Sequence, residues 1–329
     1  MSILYPLKFR PRLKARIWGG ETLLARKEAH ISRADKGQKI GESWDISCVS
    51  GDVSVVSNGR LKGNDLQELL SVYMGDLAGE KVFEKYGETF PLLIKSLDCN
   101  DLLSVQVHPD DELAAERHNS YGKTEMWYVA DAKPGASLYV GFRDRNVTRE
   151  EYLAAVAEGR LPSILNRVEA RKGDVFFIPA GTVHALGAGL QVLEIQQTSD
   201  VTYRIYDWDR VDAEGRSREL HTALAVDAMD FSADPEKSII RYETRPNEAV
   251  KMVSCKYFTT NVIELDGTYV RDCVAIDSFK IYMCTDGEAR LTAGGHTEPL
   301  TAGESILVPA ELDEVQIEGK GRLLEIYIE

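Results

Sequence analysis

Gln106, His108, Glu125 and His184 are the side chains whose types and spacing could assemble a metal centre. Gln106 and His108 stand two apart in Ser104-Val105-Gln106-Val107-His108-Pro109, so on an extended backbone they point to the same side. Glu125 opens Glu125-Met126-Trp127-Tyr128-Val129, an aromatic and β-branched run expected to pair nearby. His184 closes the stretch from Gly173 to His184, in which Val175 to Ile178 predict a strand and Pro179 with Gly181 a tight turn onto the next one. Two imidazoles, one carboxylate and one amide oxygen suit a catalytic zinc ion, because no cysteine closes the shell and room is left for water or substrate. Taken singly, His108 before Pro109 also reads as a turn residue and His184 as a satisfied core histidine. The chain has only six histidines, and two of them fall in these strand-and-turn contexts, which favours the metal.

Such residues need a rigid scaffold to bring them together. The first sixty residues read as short strands and turns, and strand signals return at Phe90 to Leu97, Leu138 to Phe142 and Leu190 to Tyr206, the last broken near Ser199-Asp200. Helical spacing of Leu66, Leu69, Leu70, Tyr73 and Met74 predicts a helix capped by Asn64 or Asp65, and a second is expected over 79–86. Asp110 to Arg117 suggests one or two helical turns, and Thr148-Arg149-Glu150-Glu151 a capping box for a helix carrying Tyr152, Leu153 and Val156. From about Asp209 to Glu236 the chain turns charged and helical, as a connection between domains would. Gly303 to Ala310 repeats the glycine, five residues, proline pattern of Gly173 to Ala180, but Glu311 to Glu314 stand where Gly181 to His184 stood, which implies a second unit with the fold and without the site. His296 after Gly294-Gly295 reads as a hairpin-turn residue.

Composition narrows the function. At 329 residues and 43% hydrophobic content the chain can bury a sizeable core, in two domains or in one large β-rich body with an appended module. A net charge of -14 repels nucleic acid and anionic membranes, so neither is expected as a partner, and an anionic substrate needs a local cationic cluster. Five widely spaced cysteines without a Cys-x-x-Cys pair fit a reduced, cytoplasmic protein. Met1 to Arg10 carries no apolar core of signal-peptide length, and no later stretch approaches a membrane span. A homodimer is compatible with these features.

The Gly173 to His184 pattern, Gly-x5-Pro-x-Gly-x2-His, resembles that of the cupin superfamily. This implies a mainly β fold of two cupin-like β-barrels of jelly-roll type, the first over 1–235 with helical insertions and the connecting segment, the second, smaller and metal-free, over 236–329. With Gly41 to Ser47, Phe90 to Lys95, Gln-x-His-Pro, Lys123-Thr124-Glu125-Met126 and Tyr203-Arg204 added, the chain resembles the type I mannose-6-phosphate isomerases in their short bacterial form over nearly its whole length. That resemblance implies one zinc ion per chain held by Gln106, His108, Glu125 and His184. It also implies a catalytic arginine at Arg204, an active-site carboxylate at Glu194, and a sugar-phosphate pocket lined by Lys95, Ser104 and Lys123. Thr124 departs from the proline of many relatives.

The implied chemistry interconverts mannose 6-phosphate and fructose 6-phosphate through a cis-enediol. Zinc would act as a Lewis acid and Arg204 as a fixed cation, with Glu194 or Lys123 as the base. Lys95 and Ser104 would anchor the phosphate. The blander expectations are that Glu194 pairs with Arg204 across two strands, that Lys123 is exposed, and that Lys95 snorkels from a strand end. Two rival functions suit the same fold: an iron-dependent cupin oxygenase, which would want a two-histidine facial triad without an amide ligand, and a non-catalytic sugar-binding cupin.

Overall fold

Strand alternation does most of the positioning in this chain, whose computed structural model describes residues 3–27, 35, 37–211 and 214–329. Met1 and Ser2, where the reading of the N-terminus begins, lie outside the described residues. The fold is mainly β. Seven antiparallel strands form one sheet, in the order Ile239–Ile240, Val175–Ile178, Glu125–Ala132, Leu190–Gln197, Leu92–Cys99, Ile40–Ile46 and Arg12–Gly20. Five form a second sheet, in the order Tyr203–Tyr206, Val105–Val107, His184–Leu186, Ser137–Phe142 and Leu165–Glu169. Among the described residues neither sheet closes on itself.

The two sheets face each other, and the period of two decides what lies between them. Leu97, Trp127, Val129, Leu190 and Val192 from the larger sheet pack against Leu138, Val140 and Leu186 from the smaller. Lys95, Glu125 and Glu194 have the same parity as these core residues, and so do Gln106, His184 and Arg204, so all six point inward from opposite walls. On the outer face of the larger sheet, Ile94, Met126, Tyr128 and Ile195 join a core with Leu66, Leu69, Phe258, Ile281 and Leu324. On the outer face of the smaller sheet, Val105, Val107, Ala185 and Tyr203 pack against Tyr152, Ala225 and Val226. The Gln106 and Glu125 strands are therefore not neighbours in one sheet, as their expected pairing would have it; they meet face to face.

The predicted helices form at Leu66–Ala78, Glu80–Tyr86, Asp111–His118 and Arg149–Ala157. Asp65 caps the first with a full capping box, and Thr148 caps the last by accepting from Glu151 N–H. Met74 departs from its expected buried stripe: it is 50% exposed and its φ of 41° kinks the helix. The kink lets the last turn reach the C-terminal strands, where Leu77 and Ala78 carbonyls accept from Ala310 and Phe279 N–H. The segment after Asp209 holds the short helices Thr222–Ala228 and Pro235–Ser238 and packs on the smaller sheet. His296 directly follows a turn made by Gly294 and Gly295, both at positive φ, and opens the strand His296–Thr301.

A six-stranded C-terminal sheet repeats the larger sheet's register with different residues. Ile178 and Val308 each precede the motif proline; Ile178 pairs with Glu125 and Val308 with Lys280. Trp127, Glu194 and Lys95 stand in line across three strands, and Tyr282, Glu325 and Asn261 stand in the corresponding line. Tyr282 and Asn261 both donate to Glu325, at 2.9 Å and 2.7 Å. Lys280 thus occupies the position of Glu125, and a fully buried ammonium there repels a cation.

Candidate metal centre and substrate pocket

His108, Glu125 and His184 bring ligand atoms within 4.8 Å of one another, all three side chains being buried. The Nδ1 of His108 lies 3.1 Å from the Val201 carbonyl and that of His184 2.8 Å from the Thr182 carbonyl. A carbonyl can only accept, so each Nδ1 carries the proton and each Nε2 turns its lone pair to the centre. Burial and the nearby Lys123 charge push His108 down to about 3, and burial lowers His184 too, so both rings are neutral, as metal ligands must be. Burial alone would raise the Glu125 carboxyl, but the Lys123 charge overcomes it and holds it well below the usual carboxylate range.

Glu125 Oε1 and the Nε2 of His184 are buried without a partner, and Glu125 Oε2 has only the Lys123 ammonium beside it. Buried polar atoms are rarely left so, and a divalent cation would satisfy all three at once. The donor set of two imidazoles and a carboxylate fits zinc. Gln106 sits directly opposite His184 on the neighbouring strand and lines the adjoining cavity. Lys123 is buried, not exposed: its Nζ lies 2.8 Å from His108 Nε2 and 2.8 Å from Glu125 Oε2. His108 Nε2 cannot both accept from this ammonium and ligate a metal, so metal binding must release Lys123 from His108.

Thr124 uses atoms a proline lacks at its position. Its N–H donates to Gln197 Oε1 at 2.9 Å and its Oγ1 accepts from Ala180 N–H at 3.2 Å, tying the Glu125 strand to the turn before His184.

A cavity of about 320 Å³ adjoins the cluster, and Lys95, Ser104, Gln106, Lys123, Glu194 and Arg204 all line it. Glu194 does not pair with Arg204, because the turn after Gln197 carries the chain from one sheet to the other. Its partners are Lys95 Nζ at 2.8 Å and Trp127 Nε1 at 3.1 Å. Lys95 also donates to Gln196 Oε1 and lies over the Trp44 ring. Burial would lower its pKa, but Glu194 and Glu42 raise it, so it is a buried, paired cation rather than a snorkelling one. Arg204 is half-buried, its Nη1 donates to the Glu219 carbonyl, and its Nε has no partner.

Arg16, Glu42 and Arg218 line the same cavity and went unnoticed in the sequence. Glu42 accepts from Arg16 Nε and Trp44 Nε1, both at 2.7 Å. Its place in Gly41 to Ser47 offered a signal; Arg218, in a charged loop, offered none.

Arg218 is held by Asp207, which accepts from its Nε at 2.6 Å and its Nη2 at 2.5 Å, and also from Arg210. Burial would raise the Asp207 carboxyl, but these hydrogen bonds keep it below its ordinary value. A lowered folded value means the contribution to stability is present above the unfolded value of about 4 and drains away as pH falls through the folded one. Asp207→Asn is therefore expected to melt lower than the parent at pH 7, and the gap should close as pH falls below about 4. Thermal melts across that range check it; a constant gap would contradict it.

Comparison with known proteins gives a consistent result. Residues 6–140 match the family described as phosphomannose isomerase type I, catalytic domain, and residues 248–328 that described as mannose-6-phosphate isomerase, cupin domain. The chain is 36% identical over 319 residues to the mannose-6-phosphate isomerase ManA of Bacillus subtilis, covering 95% of this chain and 96% of that one. It is 34% identical over 314 residues to a mannose-6-phosphate isomerase of Streptococcus mutans, covering 95% of each. The crystal structure of the Bacillus subtilis mannose 6-phosphate isomerase superposes with a TM-score of 0.86 at 33% identity, covering 99% of this chain and 100% of that one.

Proposed function

The chain belongs to the type I phosphomannose isomerase family and is an aldose–ketose isomerase, and from that premise we propose that it interconverts mannose 6-phosphate and fructose 6-phosphate by proton transfer through a cis-enediol. The observation that carries this reading is one cavity joining a cluster of orphaned ligand atoms to Glu194 and Arg204. Gln106, His108, Glu125 and His184 would hold one zinc ion per chain. When bound, zinc supplies Lewis-acid polarisation of the substrate oxygens at the reacting carbons.

The chain's own residues do the rest. Glu194 accepts the proton from C2 of the open-chain aldose and returns it to C1, while the hydroxyl proton moves between the two oxygens. Trp127 and Lys95 fix its carboxylate for that purpose. Lys123, released from His108 when the metal enters, is the second candidate base. Arg204 directs its unpartnered Nε to the developing oxyanion, a cation that keeps its proton at neutral pH. Ser104 offers the phosphate a hydroxyl, and Lys95 adds the attraction of a buried cation.

The division at 235/236, with each unit read as a jelly-roll barrel, is supported by the register repeat between the larger and C-terminal sheets. Five unpaired cysteines fit a cytoplasmic location, and no helix among the described residues is long and apolar enough to cross a membrane. An iron oxygenase or a non-catalytic sugar-binding unit has no use for the acid–base groups lining the cavity. Zinc-loaded protein given fructose 6-phosphate alone should form mannose 6-phosphate, and from either sugar the mixture should reach the same ratio. Fully loaded protein that converts neither would overturn the reading.

A further inference from the structure

We infer that Arg218 selects the phosphate: its guanidinium, tethered by Asp207, takes the phosphate monoester of the sugar and leaves Arg204 to the oxygens at the reacting carbons. This rests on the isomerase reading above and extends it. The cavity has five cations in its lining, and their partners separate their roles. Lys95 already donates to Glu194 and Gln196, so it adds charge to the pocket but offers the phosphate no paired donors. Lys123 lies against the ligand cluster, and Arg16 is bonded to Glu42. Arg204 belongs to the sheet that carries Gln106 and His184, directly opposite Gln106, which is directly opposite His184. Two strand spacings of about 4.8 Å put its backbone within side-chain reach of the ion's neighbourhood.

Arg218 comes from outside both sheets. It lies on the loop between Tyr206 and Thr222, which is pinned back on Arg204 by His221: His221 N–H donates to the Arg204 carbonyl at 2.7 Å and His221 Nδ1 accepts from Arg204 N–H at 3.0 Å. An isolated bridge between Val211 and Ser217 narrows the same loop. Asp207 takes the Nε and Nη2 of Arg218, which fixes the plane of the fork, while Nη1 makes no hydrogen bond among the described residues. The side chain is 33% exposed, in contrast to the buried ligand cluster. In mannose 6-phosphate the carbonyl carbon and the phosphate lie at opposite ends of the carbon skeleton, so a buried reacting end and an accessible cationic end of one cavity match the molecule in order. Arg204, Arg210 and Arg218 share the field of a single buried carboxylate, Asp207; the other acids near them, Asp101, Asp200 and Glu219, are exposed. A dianion relieves that crowding of guanidiniums and accepts from a planar donor edge in the geometry arginine provides.

Zinc-loaded Arg218→Gln and Arg218→Lys are to be compared with the parent for three readouts: kcat and KM with mannose 6-phosphate, turnover of unphosphorylated mannose, and the affinity for inorganic phosphate by calorimetry. Losing a charge-assisted fork should raise the KM for mannose 6-phosphate and weaken phosphate binding about a hundredfold, with kcat changed less than about threefold. Mannose turnover should stay within about twofold, and lysine should recover about tenfold of the loss. Unchanged phosphate affinity, or an equal loss with both sugars, overturns the assignment. Zinc content and melting temperature separate this from misfolding. If the parent itself ignores mannose 6-phosphate, the isomerase reading fails, while calorimetry with phosphate still decides whether Arg218 holds it.

Discussion

Glu125→Gln is expected to leave the protein without its metal: bound zinc should fall from one per chain to less than about a tenth, and isomerase turnover at least about a thousandfold. Glu125 is the only anion in the cluster; its Oε1 has no partner and its Oε2 only the Lys123 ammonium. An amide of the same shape keeps the packing but removes the charge that attracts a divalent cation and compensates Lys123. The same change leaves the Lys123 ammonium buried 2.8 Å from a neutral group, so the metal-free variant should lose about 3–5 kcal/mol of stability. Adding Lys123→Met removes that unpaired charge. The double variant should regain most of the melting temperature and none of the zinc. Metal analysis beside thermal melts reads both effects, and a Glu125→Gln protein that keeps stoichiometric zinc would contradict the assigned ligand.

Glu194→Gln should cut kcat about a hundred- to ten-thousandfold while zinc content holds and KM moves little. Glu194 is buried and ion-paired with Lys95, so its carboxylate is fixed relative to the cavity rather than free to find another role. Glutamine has one acceptor oxygen for the two donors Trp127 and Lys95, so it keeps one of these contacts, and it cannot accept a proton from carbon. The pattern to look for is lost turnover without lost binding. Near-parental turnover would transfer the role of base to Lys123.

Much of this site was legible because alternation and turn chemistry are local. Gln106, His184 and Arg204 face inward for the same reason as Leu138, Val140 and Leu186, and that parity is written in the strands themselves. Pro179 and Gly181 announced the turn before His184, and Asp65 announced a helix start. Strand pairing was not local and so was not legible. Nothing in sequence says that Glu194 stands opposite Lys95 while Arg204 lies on the facing sheet, which is why an ion pair between Glu194 and Arg204 was a reasonable expectation that the fold replaced. The kink at Met74 accompanies hydrogen bonds that Leu77 and Ala78 accept from Ala310 and Phe279, partners more than two hundred residues away and beyond the reach of helical periodicity. Arg218 carries no motif; its position follows from its bonds to Asp207 and from those of His221 to Arg204, which form only once the loop has folded back.

Anomalous diffraction at the zinc edge from metal-loaded crystals tests the centre of the argument most directly. The expected map has one strong peak per chain between the Nε2 atoms of His108 and His184, with Glu125 and Gln106 oxygens completing the shell at about 2.0–2.2 Å and Lys123 withdrawn from His108. A peak bound by other residues, or none at full loading in solution, would contradict it.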